Sequence, residues 1–306
     1  MYIEKRKSGN SIKYYLVHSY RDKNSVQKIR KYLGSNLSKD EINKRKKEAK
    51  EKILNIFKEV STEVFLFRLT KNQIEKLNKY NDKISILHFD KSEWQKFTEE
   101  FVYNTNAIEG SSVEKSEVPD ILEGHAKNKD EEETKGVANA IEFIRTTSED
   151  LSLNLILRLH ELCFLKSKHF AGKLRNVEVV ISNSSGEIIH QGIPAKEVKS
   201  ALIEMVDWYK KNKDKFKPLV LSVLIHNQFE YIHPFQDGNG RAGRLLLNYI
   251  LIRNNYPPVN INLEDRQEYY KCLRDYDLIQ DVKPMLRFII NQYKKTLKKV
   301  TTKSKK

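Results

Sequence analysis

The segment His233-Pro-Phe-Gln-Asp-Gly-Asn-Gly-Arg-Ala-Gly-Arg244 carries the densest chemistry of this chain. It holds an imidazole, a carboxylate, glycines on both sides of an asparagine, and two guanidinium groups. Residues 218–232 before it are apolar around most of a helical wheel and begin with proline, which predicts a buried helix. Because Pro234 disfavours helical backbone at the residue before it, we expect this helix to end near residue 232. Residues 241–255 predict a second apolar helix.

The bend between these two helices predicts an anion site. Gly238, Asn239 and Gly240 can turn sharply and direct backbone N–H groups to one point, where the second helix adds the partial positive charge of its N-terminus. Arg241 and Arg244 are three residues apart and therefore share one face of the first turn. Their planar guanidinium groups suit phosphate oxygens.

Two further residues of the segment add metal and proton chemistry. Asp237 offers a hard oxygen ligand of the kind that binds Mg²⁺ carrying substrate phosphates. His233 can accept a proton near neutral pH. The spacing Gly238-x-Gly240-x-x-Gly243 also fits a dinucleotide-binding fingerprint, but that fingerprint follows a strand. Since a helix is predicted here, we do not assign a dinucleotide site.

At these residues the chain resembles the Fic (filamentation induced by cAMP) family. Its signature H-x-F-x-(D/E)-G-N-G-R-x-x-R is matched at every specified position, and the resemblance covers residues 92–298, including Gly172-Lys-Leu-Arg175. It implies a mainly α fold: a Fic-type helical bundle with a β-hairpin flap, joined to a small N-terminal β-hairpin and helix. Family members mostly transfer AMP from ATP to a hydroxyl group of another protein. The implied activity is that of a protein adenylyltransferase, a nucleotidyltransferase.

The resemblance also implies residue roles. His233 would be the general base that takes the proton from the Ser, Thr or Tyr hydroxyl of the target protein. Asp237 would hold Mg²⁺ that bridges the phosphates of ATP, and the amides at 238–240 would form the anion hole. Arg241 and Arg244 would bind the β and γ phosphates, with pyrophosphate as the leaving group. The residues alone do not choose between AMP transfer and γ-phosphoryl transfer.

Adenine contacts are implied on a later helix. Tyr269, Tyr270, Leu273 and Asp277 stand at positions matching those where family members bury the base. Asp277 departs from the family pattern, which has asparagine there. Ordinary core packing is the competing interpretation for the two tyrosines.

A second motif implies regulation. The stretch Thr105-Asn-Ala-Ile-Glu109-Gly110 fits the inhibitory pattern (S/T)-x-x-x-E-(G/N), although a helix end with Gly110 in its cap would also explain it. In the subclass that carries this pattern before the Fic core, the glutamate pairs with the last arginine of the signature, here Arg244. The resemblance therefore implies self-inhibition by Glu109. An alternative is an AMP-removing hydrolase in which Glu109 aligns a water molecule.

A β-hairpin is predicted between the two motifs. Strand-forming residues at 177–181 and 187–190 flank the turn sequence Asn183-Ser-Ser-Gly186. In family members a flap at this place clamps the backbone of the target protein as an added strand. We therefore expect the target to dock on residues 177–192, with a plain surface hairpin as the competing interpretation.

The N-terminal region is basic. Residues 1–60 hold 17 Lys/Arg against 7 Asp/Glu, a net charge of +10 within a total of +15. The pattern predicts a hairpin of strands 12–21 and 26–33, a helix over 39–59 capped by Ser38, and a strand at 64–69. One interpretation is a solvated surface; another is a surface for nucleic acid or an acidic partner, formed by Tyr14, Tyr15, Tyr20, Arg21, Arg30 and Lys31. A regulator that binds nucleic acid or a partner, with ATP occupancy as its switch, is thus a further candidate function.

Length and composition limit the remaining possibilities. The 306 residues allow one large domain and a small one: an extension at 1–70, a Fic domain at 85–293, and a disordered lysine-rich tail at 294–306. We expect no membrane span or signal peptide. The two cysteines, Cys163 and Cys272, lie in helical patterns, so we expect a cytoplasmic protein without a disulfide framework. A homodimer is among the expected assemblies.

Overall fold

The computed structural model describes residues 1–9, 11–22, 25–60, 69, 71–182, 188–279 and 281–301. The chain divides into two compact units, Met1–Ile74 and Glu75–Lys306. The architecture is mainly helical, with a three-stranded and a two-stranded antiparallel sheet among the described residues. Within those same residues, no helix combines the length and the hydropathy of a membrane span.

The first unit is an antiparallel sheet packed against one helix. In spatial order its strands are β1 (Tyr2–Ser8), β2 (Ser11–Asp22) and β3 (Ser25–Ser35), followed by α1 (Lys39–Val60). The core between sheet and helix is formed by the buried residues Tyr14, Leu16, Leu33, Ala49 and Ile53. The hairpin β2–β3 and the helix α1 agree with the predictions. Strand β1 was missed, because four consecutive charged residues interrupt its apolar alternation.

Helix α1 begins with a capping box, as its sequence predicts. The Ser38 hydroxyl accepts a hydrogen bond from the Glu41 amide at 3.3 Å. The Glu41 carboxylate in turn accepts one from the Ser38 amide at 2.9 Å. The two bonds satisfy N–H groups that the helix itself leaves without partners.

The other elements are ten helices and a short hairpin in the described part of the chain. The helices are α2 (Lys71–Asn78), α3 (Lys91–Ile108), α4 (Val118–Glu123), α5 (Lys129–Thr146), α6 (Leu153–Phe164), α7 (Val198–Asn212), α8 (Pro218–Ile232), α9 (Asn239–Arg253), α10 (Arg266–Ile279) and α11 (Lys283–Thr301). The hairpin consists of β4 (Val180–Ser182) and β5 (Ile188–Gln191).

Helices α8 and α9 form the centre of the second unit. They pack on each other, with α3, α5 and α6 against α9, and with α7, α10 and α11 against α8. Every side chain of α8 from Leu219 to Glu230 is buried. Burying one large apolar side chain contributes about 1.5–3 kcal/mol, so this pair anchors the turn that connects it. Helix α8 has the predicted bounds, whereas α9 begins at Asn239, two residues before the predicted start.

Three sequence predictions have different outcomes. The tail was predicted to be disordered from residue 294, but α11 continues to Thr301 because Tyr293, Thr296 and Val300 pack inward between the lysines. The first flap strand begins at Val180 rather than at residue 177, and its partner strand extends to Gln191. The predicted strand at 64–69 and the flap turn at 183–186 lie outside the described residues, apart from residue 69.

Candidate active site

The turn between α8 and α9 is closed by its own asparagine. His233 ends α8 in the left-handed region at φ 52°, and Gly238 precedes α9 at φ 83°. The Asn239 side chain accepts a hydrogen bond from the Phe235 amide at 2.8 Å and donates one to the Phe235 carbonyl at 2.8 Å. Because Phe235 is fully buried, these bonds fix the turn to the core.

A buried histidine that the sequence did not single out holds the turn from below. His160 in α6 accepts a hydrogen bond from the Gly172 amide through Nδ1 at 2.9 Å, so its Nε2–H donates to the Asp237 carbonyl at 2.9 Å. Its ring stacks on Phe235 with centroids 3.8 Å apart. Burial lowers the pKa of His160 to about 4, which keeps the imidazole neutral. The ring is therefore a structural donor.

Arg175 connects the turn to the base of the flap. Its Nε donates to the His233 carbonyl at 2.7 Å, and its backbone amide donates to the Pro234 carbonyl at 3.0 Å. The other end of the guanidinium donates to the carbonyls of Val177 and Ile193, which bracket the hairpin. One buried side chain thus sets the position of His233 relative to the flap.

Arg244 lies in a buried cage below the turn. Only 2% of the residue is exposed. Its Nε donates to the Thr105 hydroxyl at 2.7 Å, and its Nη2 donates to the Thr105 carbonyl at 3.0 Å and to Glu109 Oε1 at 2.7 Å. The ring of Tyr269 lies beneath the guanidinium, 5.8 Å from it. The carboxylate expected at Arg244 is therefore in direct contact with it.

Glu109 also covers the first turn of α9. It is the C-terminal cap of α3, and the following Gly110 takes a positive φ of 88°. A Cβ atom at Gly240 would overlap Glu109 Oε1, so this carboxylate lies against the backbone of the predicted anion site. A negative group at a helix N-terminus is stabilised by the helix dipole. Glu109 therefore takes the position expected for an anionic ligand.

Arg241 is engaged by a different carboxylate. Its Nη1 is paired with Glu133 of α5 and lies 3.3 Å from the Asn106 side-chain oxygen. Its guanidinium also lies over the Phe164 ring, 4.4 Å from the centroid. Both arginines of the signature are thus held from α3, but Arg241 has a second partner that the sequence did not indicate.

Asp237 belongs to a chain of alternating charges. Its Oδ2 accepts a hydrogen bond from Lys168 at 2.7 Å, and the same ammonium lies 3.2 Å from Glu133. Burial alone would raise the pKa of Asp237, but the contact with Lys168 holds this pKa below its usual value. The carboxylate is therefore ionised and about half exposed. Among the described residues, no three metal-ligating side chains cluster.

No local sequence signal identified Glu133 or Lys168. Glu133 is the last of three consecutive glutamates, and Lys168 follows another lysine two residues earlier. Such residues usually belong to a solvated surface. Their role follows from the packing of α5 and of the segment after α6 against α9, which brings both side chains below one-tenth exposure.

The residues predicted to contact adenine separate into two groups. Tyr269 is 1% exposed and bonds through its hydroxyl to His226 at 3.0 Å, so it supports Arg244 from the core instead of offering a ring face to a ligand. Tyr270 and Asp277 are partly exposed on α10, as is Leu273. The Tyr270 hydroxyl donates to the Ile108 carbonyl at 3.2 Å, next to Glu109.

Glu230 is a second unpredicted acid beside Arg244. It lies against Gly243, where a Cβ atom would overlap Glu230 Oε1. Burial, only partly opposed by Arg244, raises the pKa of Glu230 to about 8. The side chain is therefore largely a neutral acid at pH 7.

The chain is similar in sequence to proteins of the Fic/DOC family. The Fic/DOC family matches residues 150–251. A protein adenylyltransferase Fic from Nematostella vectensis is 29% identical over 64% of this chain and 47% of its own length. One from Drosophila melanogaster is 28% identical over 75% of this chain and 48% of its own length. The chain thus spans about half the length of the curated relatives it matches.

Solved structures show the same fold. A Fic domain-containing signaling protein from Bacteroides thetaiotaomicron superposes with a TM-score of 0.63 at 26% identity, over 76% of this chain and 97% of that one. A Fic-1 fragment from C. elegans superposes with a TM-score of 0.59 at 22% identity, over 87% of this chain and 77% of that one.

We predict that Glu230 makes stability depend on pH. Since its folded pKa lies above the unfolded value of 4.5, folding takes up a proton, and stability should fall between pH 5 and 8. The slope should be about 1.4 kcal/mol per pH unit. Glu230→Gln should remove this slope, so denaturant unfolding of both proteins across this range measures it. Parallel stability curves would contradict a neutral Glu230.

Proposed function

Because residues 150–251 form a Fic domain, we propose that this protein is a protein adenylyltransferase. It would transfer AMP from ATP to a Ser, Thr or Tyr hydroxyl of a target protein. The relatives from Nematostella vectensis and Drosophila melanogaster are named protein adenylyltransferases. The observation that carries the proposal is the turn in which His233 ends α8 and Gly238 precedes α9. This turn would bring the imidazole and the expected anion site together.

The proposed step is a displacement at the α phosphorus of ATP. The hydroxyl oxygen of the target attacks this phosphorus while the bond to the bridging oxygen of pyrophosphate breaks. His233 accepts the hydroxyl proton, and the amides at 238–240 stabilise the charge on the transferred phosphate. Arg241 and Arg244 would stabilise the departing pyrophosphate. The hairpin β4–β5 would align the target backbone as an added strand.

Asp237 would hold Mg²⁺ together with the phosphates of ATP. Its ionised, half-exposed carboxylate fits this role, since Mg²⁺ commonly binds one protein carboxylate plus substrate phosphates and water. The bound metal would neutralise phosphate charge. Lys168 donates a hydrogen bond to Asp237 Oδ2 and would compete with the metal for this oxygen. We expect its ammonium to move toward Glu133 when the metal nucleotide binds.

Glu109 would inhibit the enzyme by competing for Arg244. Its carboxylate bonds to the guanidinium and lies over Gly240. A triphosphate that needs the same groups would bind weakly, or with its α phosphorus out of line with the attacking hydroxyl. Removing the carboxylate frees both the guanidinium and the space above the helix N-terminus.

We predict that Glu109→Gly raises AMP transfer at least tenfold, because it frees Arg244 for the nucleotide phosphates. A tenfold change corresponds to about 1.4 kcal/mol. His233→Ala should abolish transfer in both the wild-type and the Glu109→Gly backgrounds. Glu123→Gly, which removes an exposed carboxylate, is the matched control. Radioactivity retained by protein after incubation with α-³²P-ATP measures transfer. Mass spectrometry after incubation with unlabelled ATP detects the attached AMP. Equal labelling by wild type and Glu109→Gly would refute inhibition.

The Lys168 contact predicts a change in magnesium dependence. Lys168→Met removes the cation that competes for Asp237, so ATP should bind at a lower Mg²⁺ concentration. Calorimetric titration of ATP at stepped Mg²⁺ concentrations, in the Glu109→Gly background, measures this without catalysis. Lys166→Met is the control, since that side chain is 70% exposed. A higher Mg²⁺ requirement would show that Lys168 binds the nucleotide instead.

Removal of AMP is a second candidate activity, favoured by the position of Glu109 against the anion site. In that reaction the carboxylate would align a water molecule on the phosphorus of the modified target. We predict that wild type releases AMP from a purified modified target and that Glu109→Gly does not. The same low release from both proteins would exclude this role.

A further inference from the structure

In the first unit, the side of the sheet that faces away from α1 differs in chemistry from the side that packs on it. Val17 is buried on this side, but Arg6, Arg30 and Tyr32 are exposed. Ile3, Leu16 and Ile29 face α1 with the core. The alternate residues face away, and strand pairing places them in rows: Glu4 beside Tyr15 beside Tyr32, and Arg6 beside Lys13. We call Glu4, Arg6, Lys13, Tyr15, Arg30 and Tyr32 the open face.

Aromatic rings and cations alternate on the open face. The rings of Tyr15 and Tyr32 are neighbours, with centroids 5.4 Å apart. The Arg6 guanidinium lies over the Tyr15 ring at 5.5 Å. Tyr32 is 55% exposed. A ring surface is therefore available to a ligand.

The arginines of the open face are oriented by one carboxylate. Glu4 accepts hydrogen bonds from Arg6 Nε at 2.6 Å and from Arg30 Nε at 3.1 Å. Both bonds use the inner edge of the guanidinium, and the two side chains stay 52% and 37% exposed. The outer N–H groups of Arg6 and Arg30 can therefore donate to phosphate oxygens while Glu4 holds both guanidinium groups in place.

Charge and shape together identify the occupant. The net charge of +10 on residues 1–60 favours a polyanion. An acidic peptide would satisfy the cations but would leave the rings without a partner. Unpaired bases stack on exposed aromatic rings while cations bind the backbone beside them. We propose that the open face binds single-stranded nucleic acid, with Tyr32 as the stacking residue and Arg6, Lys13 and Arg30 as the phosphate contacts.

This surface differs in part from the one expected from sequence. Tyr14 belongs to the core against α1, and Lys31 pairs with Leu16 on the same side. The side chains of Tyr20 and Arg21 lie outside the described residues. Arg6 and Lys13, which were not predicted, join the surface because β1 pairs with β2.

Fluorescence anisotropy with the full chain tests the phosphate contacts. The probes are labelled DNA and RNA strands of about twenty nucleotides, long enough for one site, together with the corresponding duplex. Binding should weaken with salt, and the slope of log K against log salt should become shallower by about 1.4 in Lys13→Gln/Arg30→Gln, since each phosphate contact contributes about 0.7. The matched control is Lys210→Gln/Lys211→Gln, which removes the same charge from the exposed surface of α7. It should keep the wild-type slope.

Tyr32 tests the stacking contact. Tyr32→Ala should weaken single-strand binding about tenfold, while Tyr32→Phe should bind like wild type because it keeps the ring. Circular dichroism confirms that each variant is folded. The proposal is overturned if the α7 control loses as much affinity as the open-face variant, if Tyr32→Ala binds normally, or if duplex or polyglutamate binds as tightly as the single strand. His233→Ala should bind nucleic acid normally, which separates this site from adenylyl transfer.

Discussion

A buried guanidinium requires a partner for its charge, and this constraint organises the candidate active site around Arg244. Leaving such a charge unpaired in the interior costs several kcal/mol, so the protein supplies Thr105, Glu109 and the ring of Tyr269. One further nitrogen, Nη1, has no hydrogen-bond partner among the described residues. The guanidinium is thus paired but incompletely hydrogen-bonded. A phosphate oxygen could replace Glu109 without leaving the arginine unpaired, so the proposed inhibition and its relief would have the same physical basis.

The two arginines of the signature are restrained differently. Arg244 is held by a carboxylate at the end of α3 that is 28% exposed, whereas Arg241 is held by Glu133, which is 7% exposed. The partly exposed Glu109 can move into water once a phosphate oxygen takes its place at Arg244, whereas the buried Glu133 would leave both Arg241 and Lys168 without their shared carboxylate. Arg241 therefore stays part of a fixed network that ends at Asp237, and Glu109 is the group suited to move.

The rigidity of the turn has its own supports. His160, Arg175 and the Asn239 side chain fix carbonyl and amide groups of residues 233–238 from three directions. A site built in this way keeps its donors oriented before a substrate arrives, which is what electrostatic stabilisation of a transition state requires.

The basic first unit is built on a different principle. Its sheet buries one face against a helix and leaves cations and rings exposed on the other.

Elements with local causes could be predicted from the amino-acid sequence. The apolar stretches around the motif predicted α8 and α9, proline and glycine located the turn, and the motif at 105–110 indicated the carboxylate for Arg244. Which charged side chains contact one another depends on the packing of the helices. Glu133, His160 and Lys168 became part of the site because α5, α6 and the segment after α6 pack against α9, and Glu230 because α8 packs on Gly243 of α9. The same packing moved Tyr269 into the core and ordered the lysine-rich end of α11, because burial depends on neighbours that a linear pattern does not specify.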